Sequence, residues 1–375
     1  MKNKLFVSIF AIILASLTLL TIFIPKKDFS DNENRVLASF PEFTFESLKD
    51  GSFNSDFATY IADHFALRDI WVSIKSLTET ALLKTSNNDV FNGKDGYLID
   101  SFKIENSEQI ETNINAVKEF EDFVKYNYNI DVKTMVVPTA TQILSDKLPP
   151  FAVTSDGEAI INHADEVIDG FINVYSALYE HKDEYIYYKT DHHWTDTGAY
   201  YAYAQYKTAI GETAPDKTDI STDCVTSEFY GTTYSRFGRF IGVKADTLYA
   251  PSAEYIGKMT VTDSKGNTTD SIYHPEKLTE KDKYLYFLGG NDSMVTIETE
   301  NKNGKTLLLL KDSYANSFLP YLTGDFEKII VIDMRYYPGL INYLIEDNNI
   351  TDVLILYNIK SFAEDQYIQF ITLTE

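Results

Sequence analysis

The run Thr306-Leu307-Leu308-Leu309-Leu310 restricts the architecture open to this chain more than any other stretch of it. Successive side chains of a strand point to opposite faces, so a strand apolar at every position must be covered on both. Such a strand belongs inside a parallel sheet with helices above and below. Asp131–Val137, Tyr185–Tyr188, Lys328–Asp333 and Asp352–Tyr357 also read as strands, while Glu108–Tyr126, Ala159–Tyr179 and Asp196–Ile210 carry helical spacing. This alternation predicts an α/β fold with a parallel sheet and crossover helices. Val90–Ile99, with Asn92-Gly93 and Asp95-Gly96, reads as a hairpin. Residues from about 222 to 304 break the rhythm: glycines separate short β-rich pieces, the pattern of an insertion. Its place in the chain predicts a wall or lid over a binding groove.

A serine follows the buried run, in Lys311-Asp312-Ser313-Tyr314. Far earlier, Tyr185–Tyr188 leads into Lys189-Thr190-Asp191-His192-His193-Trp194-Thr195. A serine hydroxyl is a poor nucleophile near neutral pH; an imidazole must take its proton, and a carboxylate must hold that imidazole in the right tautomer. In extended chain Asp191 and His193 share a face and His192 points away. If the segment instead turns toward the helix starting near Thr195, alternation fails and the two imidazoles are not separated. Ser313–Leu319 reads as a helix start, which aims free N–H groups and a positive dipole end at a developing oxyanion. Asp-Ser after a strand is equally a capping pattern.

Asp191, His192 and His193 are also possible metal ligands. However, His64, His163, His181 and His274 are scattered and no His-Glu-x-x-His or paired-cysteine spacing occurs, so no metal or cofactor is assigned. Open α/β sheets bind ligands at the carboxyl ends of their strands, where Arg335, Tyr336 and Asn358 fall. Arg335 is a candidate carboxylate grip or a structural ion pair; Asn358, and Asn291 beside Gly290, are candidate oxyanion donors or turn residues. Trp194 and His192 join them as candidate substrate contacts.

Leu5 to Ile24 carries no charge and, at ~1.5 Å per residue, matches the ~30 Å of bilayer hydrocarbon. Lys2, Lys4, Lys26 and Lys27 flank both ends, so charge does not set its orientation; no small-x-small cleavage site follows. It reads as an uncleaved signal anchor with the large domain outside the cell membrane, the alternative being a cleaved signal peptide and a secreted form. A net charge of -23 excludes nucleic acid and anionic lipid as partners. The single cysteine, Cys224, excludes an intrachain disulfide and is expected to be a small buried hydrophobe. Glu42–Lys49 and Asn54–Lys84 carry Phe57, Tyr60, Ile61, Phe65, Ile70, Trp71, Ile74 and Leu77 at helix-like intervals, a stripe expected to be core; Arg68 and Asp69 are expected to be structural charges.

The Asp191–Trp194 string, Gly198-Ala199-Tyr200-Tyr201 and Lys311–Ser317 together resemble the DHHW protein family. So do Asn32–Arg35, Phe40-Pro41, Asp63–Asp69, Val90–Gly96, Phe229–Thr232 and Asp333–Tyr337. That family is similar to the AlgX/AlgJ-like alginate O-acetyltransferases, SGNH-type hydrolase folds with a rearranged motif order. The resemblance implies Ser313 as nucleophile, His193 as base and Asp191 as its orienting acid. It further implies a three-layer α/β/α fold, a polysaccharide substrate, O-acetyl transfer and an acetyl donor supplied by a membrane-bound O-acyltransferase. Deacetylation by the same residues, or a non-catalytic glycan-binding role, are the alternatives. Lys311 stands where such nucleophile blocks carry glycine, removing part of the usual oxyanion hole. The expected segments are 1–27 (cytoplasmic tip and anchor), 28–88 (helical lead-in) and 89–375 (catalytic body with the insertion at about 222–304).

Overall fold

The computed structural model describes residues 2–372. Met1, the side chains of Lys2 and Asn3, and residues 373–375, at the ends of the segments 1–27 and 89–375, lie outside the described residues. Seven strands form the main sheet: β1 Val132–Val137, β2 Met259–Thr262, β3 Thr268–Thr269, β4 Met294–Thr299, β5 Thr306–Lys311, β6 Lys328–Ile332 and β7 Asp352–Asn358. Their order across the sheet is β3-β2-β4-β6-β5-β7-β1. β5 lies parallel to both neighbours, with Leu308 opposite Ile330 and Val353.

Every residue of β5 is buried, as its composition requires. Leu307 and Leu309 face a core shared with Tyr203 and Phe318; Leu308 and Leu310 face a second with Phe120, Ile161 and Phe362. Helices therefore cover both faces, and the fold is the expected three-layer α/β/α arrangement. The sheet itself is mixed. β2, β3 and β4 pair antiparallel and extend it beyond β6; a short return joins β2 to β3, as antiparallel pairing allows. The segment read as a wall or lid thus supplies an edge of the main sheet, and its separate pair Thr222–Phe229 and Asp246–Pro251 adds Leu248 and Ala250 to the first core.

Tyr185–Tyr188 is not a strand of this sheet. Tyr187 bridges Trp194 antiparallel, and the Thr195 N–H donates to the Ile186 carbonyl at 2.9 Å, closing a tight hairpin around Asp191–His193. Ile186, Tyr187 and Tyr188 are buried by packing in the first core, and periodicity does not distinguish that burial from a sheet's. The helix read at Ala159–Tyr179 is two, Gly157–Val167 and Tyr175–Glu180. Between them the Ile172 N–H donates to the Thr134 carbonyl at 2.8 Å, partnering the edge of β1.

Four helices precede the body: α1 Lys2–Phe23, α2 Phe45–Asp50, α3 Ser52–Asp63 and α4 Arg68–Ala81. Asn32–Arg35 and Asp63–Asp69 meet: Arg35 pairs with Asp63, Arg68 with Glu33 at 2.7 Å, and Asn32 donates to Asp69 at 2.7 Å. Arg68 and Asp69 are structural charges here. The stripe expected to be core is instead on the surface, because α4 turns its serines inward: Ser73 accepts from the Phe240 N–H and Ser76 donates to the Phe237 carbonyl. Cys224 is likewise exposed, on the outlying strand pair rather than in a core.

Candidate active site

Ser313 stands two residues beyond the end of β5. The Asp312 N–H continues the ladder to the Leu356 carbonyl at 3.1 Å; its carboxylate then accepts from the N–H groups of Tyr314 and Asn358, each at 2.9 Å, and from the Asn358 side chain. This buried carboxyl fixes the turn that presents the serine, and burial pushes its pKa up. Tyr314 opens the helix Ala315–Leu322.

The hairpin carrying Asp191 and His193 is held from below by Asp246. That buried carboxylate accepts from the N–H groups of Lys189 at 2.9 Å and Thr190 at 2.7 Å, from the Thr190 hydroxyl, and from Tyr185. From above, the Trp194 indole donates to the Tyr314 carbonyl at 3.0 Å and the Tyr314 hydroxyl donates to the His192 carbonyl. These bonds tie the hairpin to the serine turn.

Between the two lies a continuous hydrogen-bonded chain. His193 Nδ1 is 2.5 Å from Asp191 Oδ1, and His193 Nε2 is 2.8 Å from Ser313 Oγ. A carboxylate only accepts, so Nδ1 carries the proton and Nε2 presents its lone pair to the serine hydroxyl. Asp191 also accepts from the Thr232 N–H at 2.8 Å and hydroxyl at 3.0 Å. Burial favours its neutral form, but the adjacent His192 and His193 and these hydrogen bonds outweigh it, holding the carboxyl far below the usual range. Gly231 makes this approach possible: a Cβ there would lie 2.2 Å from Asp191 Oδ2.

His192 does not point away, because the tip bends. Its ring lies 3.9 Å from that of His193 and its Nδ1 is 2.6 Å from the Thr232 hydroxyl, which itself donates to Asp191; His192 Nδ1 is therefore the donor. Burial first and then the charge of His193 push its pKa down. The ligand atoms of Asp191, His192 and His193 lie within 4.8 Å of one another, but Asp191 already gives both oxygens to His193 and Thr232.

The remaining candidates divide. His192 and Asn358 line a cleft of ≈ 290 Å³ with Asp100, Thr141, Arg236 and Lys360. It runs on into a second of ≈ 410 Å³ through Ser101, Arg236, Lys360 and Glu364. Asp191 borders the first cleft; Ser313 and His193 stand beyond its lining. Asn358 donates its side-chain amide to Asp312 and Ser361 and caps the next helix, its Oδ1 accepting from the N–H groups of Lys360 and Ser361, the arrangement of a turn residue. Arg335 is bound by two nitrogens to buried Asp333, the structural alternative for it, and its guanidinium lies over Tyr336, which is half-exposed. Trp194 is fully buried, a core residue rather than a substrate contact. Asn291 lies in a separate surface cleft with Asp263 and His274. Lys311 is 2% exposed, bonded through Nζ to Asn316 Oδ1 at 2.8 Å, and burial lowers its pKa to about 8.

Sequence reasoning assigned no role to Tyr284. Its ring stacks on His193, and its hydroxyl contacts the Ser313 carbonyl and Ser317 Oγ, each at 3.1 Å. Nothing in Lys283–Tyr286 sets it apart from the other tyrosines. Thr232 lies in the Phe229–Thr232 motif, whose local spacing gives it no role.

Fold and site together define an α/β protein with an aspartate–histidine–serine hydrogen-bonded chain at the carboxyl end of a buried parallel strand. The match of residues 93–332 to the model of the DHHW protein family shows that the chain belongs to that family. Among solved structures it is similar to a DHHW family protein from Eubacterium siraeum DSM 15702, with 28% identity over 77% of this chain and 98% of that one, and a TM-score of 0.66. It is also similar to Bacillus cereus PatB1, at 22% identity over 74% and 98%, TM-score 0.63. The same protein with a sulfonyl adduct gives 22% over 75% and 98%, TM-score 0.62. No curated protein matches the chain.

Proposed function

We propose that this protein is an O-acetyltransferase of a cell-surface or secreted polysaccharide, held by α1 in the cell membrane with its body outside. The observation that carries the reading is the 2.8 Å contact between Ser313 Oγ and His193 Nε2, with Asp191 on the far nitrogen. His193 takes the Ser313 proton as Oγ attacks the acetyl carbonyl, and the imidazolium is stabilised by Asp191. Collapse of the tetrahedral intermediate breaks the bond to the donor's leaving group, which collects the proton from His193 and leaves acetyl-Ser313. A sugar hydroxyl then attacks the ester while His193 takes its proton and returns it to Ser313 Oγ. The donor is expected to come from a membrane-bound O-acyltransferase. α1 supports the location: Lys4–Phe23 is long and apolar enough to cross a bilayer.

The test is labelling of the full chain in detergent with an arylsulfonyl fluoride, chosen because PatB1 has been solved with a sulfonyl adduct. A sulfonyl group on Ser313, lost in Ser313→Ala, is the expected result; a folded protein that stays unlabelled sinks the reading. Ser313→Ala and His193→Ala should each lower aryl acetate turnover by ~10³-fold or more without adding together. Mass spectrometry of the host's surface glycan with and without Ser313 then separates transfer from hydrolysis: acetyl groups lost with the serine mark a transferase, and acetyl groups gained mark an esterase.

A further inference from the structure

The lead-in helices carry their amphipathicity inside out. α4 buries Ser73 and Ser76 against the body and leaves Ile70, Trp71, Ile74 and Leu77 each 41–45% exposed; Phe57 and Ile61 of α3 add 38% and 36%. These four α4 positions recur at helical intervals, so they form one stripe. A water-facing helix would carry the opposite pattern, since contiguous exposed apolar surface marks an interaction face.

What adjoins the stripe identifies its occupant. The Ala66 N–H, in the corner between α3 and α4, donates to Thr21 Oγ1 at 3.0 Å, and Thr21 is a buried residue near the end of α1. Ile24, Phe65 and Ile70 line one cleft there, so the surface of the anchor continues into that of α4. Lys26 and Lys27 follow α1 at this level, as cations do at a headgroup layer. We infer that α3 and α4 form a monotopic membrane-surface platform whose Phe57–Leu77 stripe is seated in the interfacial layer of the bilayer that α1 crosses. This rests on the anchoring of α1 proposed above. With a net charge of -23 on the chain, the attraction is apolar and zwitterionic lipid suffices. The platform would set the body at a fixed height and tilt, which a flexible tether does not.

The chain supplies its own reporter, because its two tryptophans are Trp71 on the stripe and Trp194 in the core. The full chain is reconstituted into phosphatidylcholine vesicles with and without brominated acyl chains, and flotation is measured beside tryptophan emission. Brominated lipid is expected to quench at least half of the Trp71 emission, taken as the difference between the chain and Trp71→Phe, whose remaining Trp194 signal stays unquenched. Ile74→Glu, on the surface and away from the site, is expected to reduce that quenching while the chain still floats. A chain that floats with Trp71 unquenched overturns the platform and leaves the anchor standing, whether or not its mass shows a second copy covering the stripe. A chain that does not float overturns the anchor and the platform with it.

Discussion

Tyr284 lies face to face with His193, their ring centroids 3.8 Å apart and their planes 11° from parallel. The same phenol reaches the Ser313 carbonyl, so one residue of the segment between β3 and β4 braces both ends of the Ser313–His193 contact. Its own hydroxyl has one proton; donating it to Ser313 leaves Ser317 to donate in return. Tyr284 is a positioning residue. Tyr284→Phe keeps the stack and should retain most activity, whereas Tyr284→Ala frees the imidazole. The expected loss for alanine is about 10²-fold in kcat on an aryl acetate, the scale of an ~1 Å misplacement, with KM little changed. Equal losses for both variants would point to the hydrogen bond instead of the ring.

Gly231 is set by space rather than by backbone angle. A Cβ at that position would meet Asp191 Oδ2 at 2.2 Å and its Cβ at 2.3 Å, both in the interior. Gly231→Ala must therefore move the carboxylate off His193 and should lower kcat at least 10²-fold, as misplaced catalytic groups do. Thr232→Val keeps the shape and the N–H but removes the hydroxyl shared by Asp191 and His192; a loss near 10-fold is expected. Steady-state kinetics beside a circular dichroism spectrum checks both, and wild-type turnover in Gly231→Ala would refute the tight approach.

Arg335 and Asn358 are expected to affect stability rather than chemistry. Asp333 has no exposed surface and accepts from two guanidinium nitrogens, so Arg335→Ala strands a buried carboxylate. With Arg335 partly in solvent, the cost is expected at about 2 kcal/mol, below the figure for a fully buried pair. Asn358→Ala removes a helix cap and the side-chain donor to Asp312, while the backbone N–H bond to it stays, about 1–2 kcal/mol. Urea melts measure both. A large fall in kcat at unchanged stability for Asn358→Ala would restore it as an oxyanion donor.

The sequence's legibility follows from how local each signal is. Leu307–Leu310 specified a doubly covered strand because burial on both faces leaves no polar position, and the structure places it between two parallel neighbours. The convergence of Asp191, His193 and Ser313 was readable from chemistry plus family resemblance. The antiparallel edge β2–β4 was not, since β-rich spacing says nothing of which strand it joins. Tyr185–Tyr188 misled for a related reason: three consecutive buried residues look alike whether a sheet or a helix layer covers them. The α3–α4 stripe carried true helical periodicity but no sign of which face the body would cover. Tyr284 depends on a contact between distant segments and leaves no local trace.

Lys311 offers a test in which pH is the variable. Its side chain is sealed beside Asn316, and burial, opposed by the charges of Asp333 and Asp312, lowers its pKa to about 8. The unfolded chain keeps the ordinary value of about 10.4, so between about pH 8 and 10.4 the unfolded state binds more protons and stability rises with pH. Below about pH 8 the lysine is charged in both states and the cost of burying it is complete. Lys311→Met, of similar length and without charge, removes that cost. The variant is therefore expected to melt a few degrees above the wild type at neutral pH, ~2–4 °C for each kcal/mol recovered. That advantage should shrink as the wild type gains stability from about pH 8 upward. Thermal melts of the full chain at a series of pH values decide it. A gap that stays constant across that window would mean that the ammonium is fully compensated by its neighbours, and that a lysine in the glycine position of the nucleophile turn costs the fold nothing.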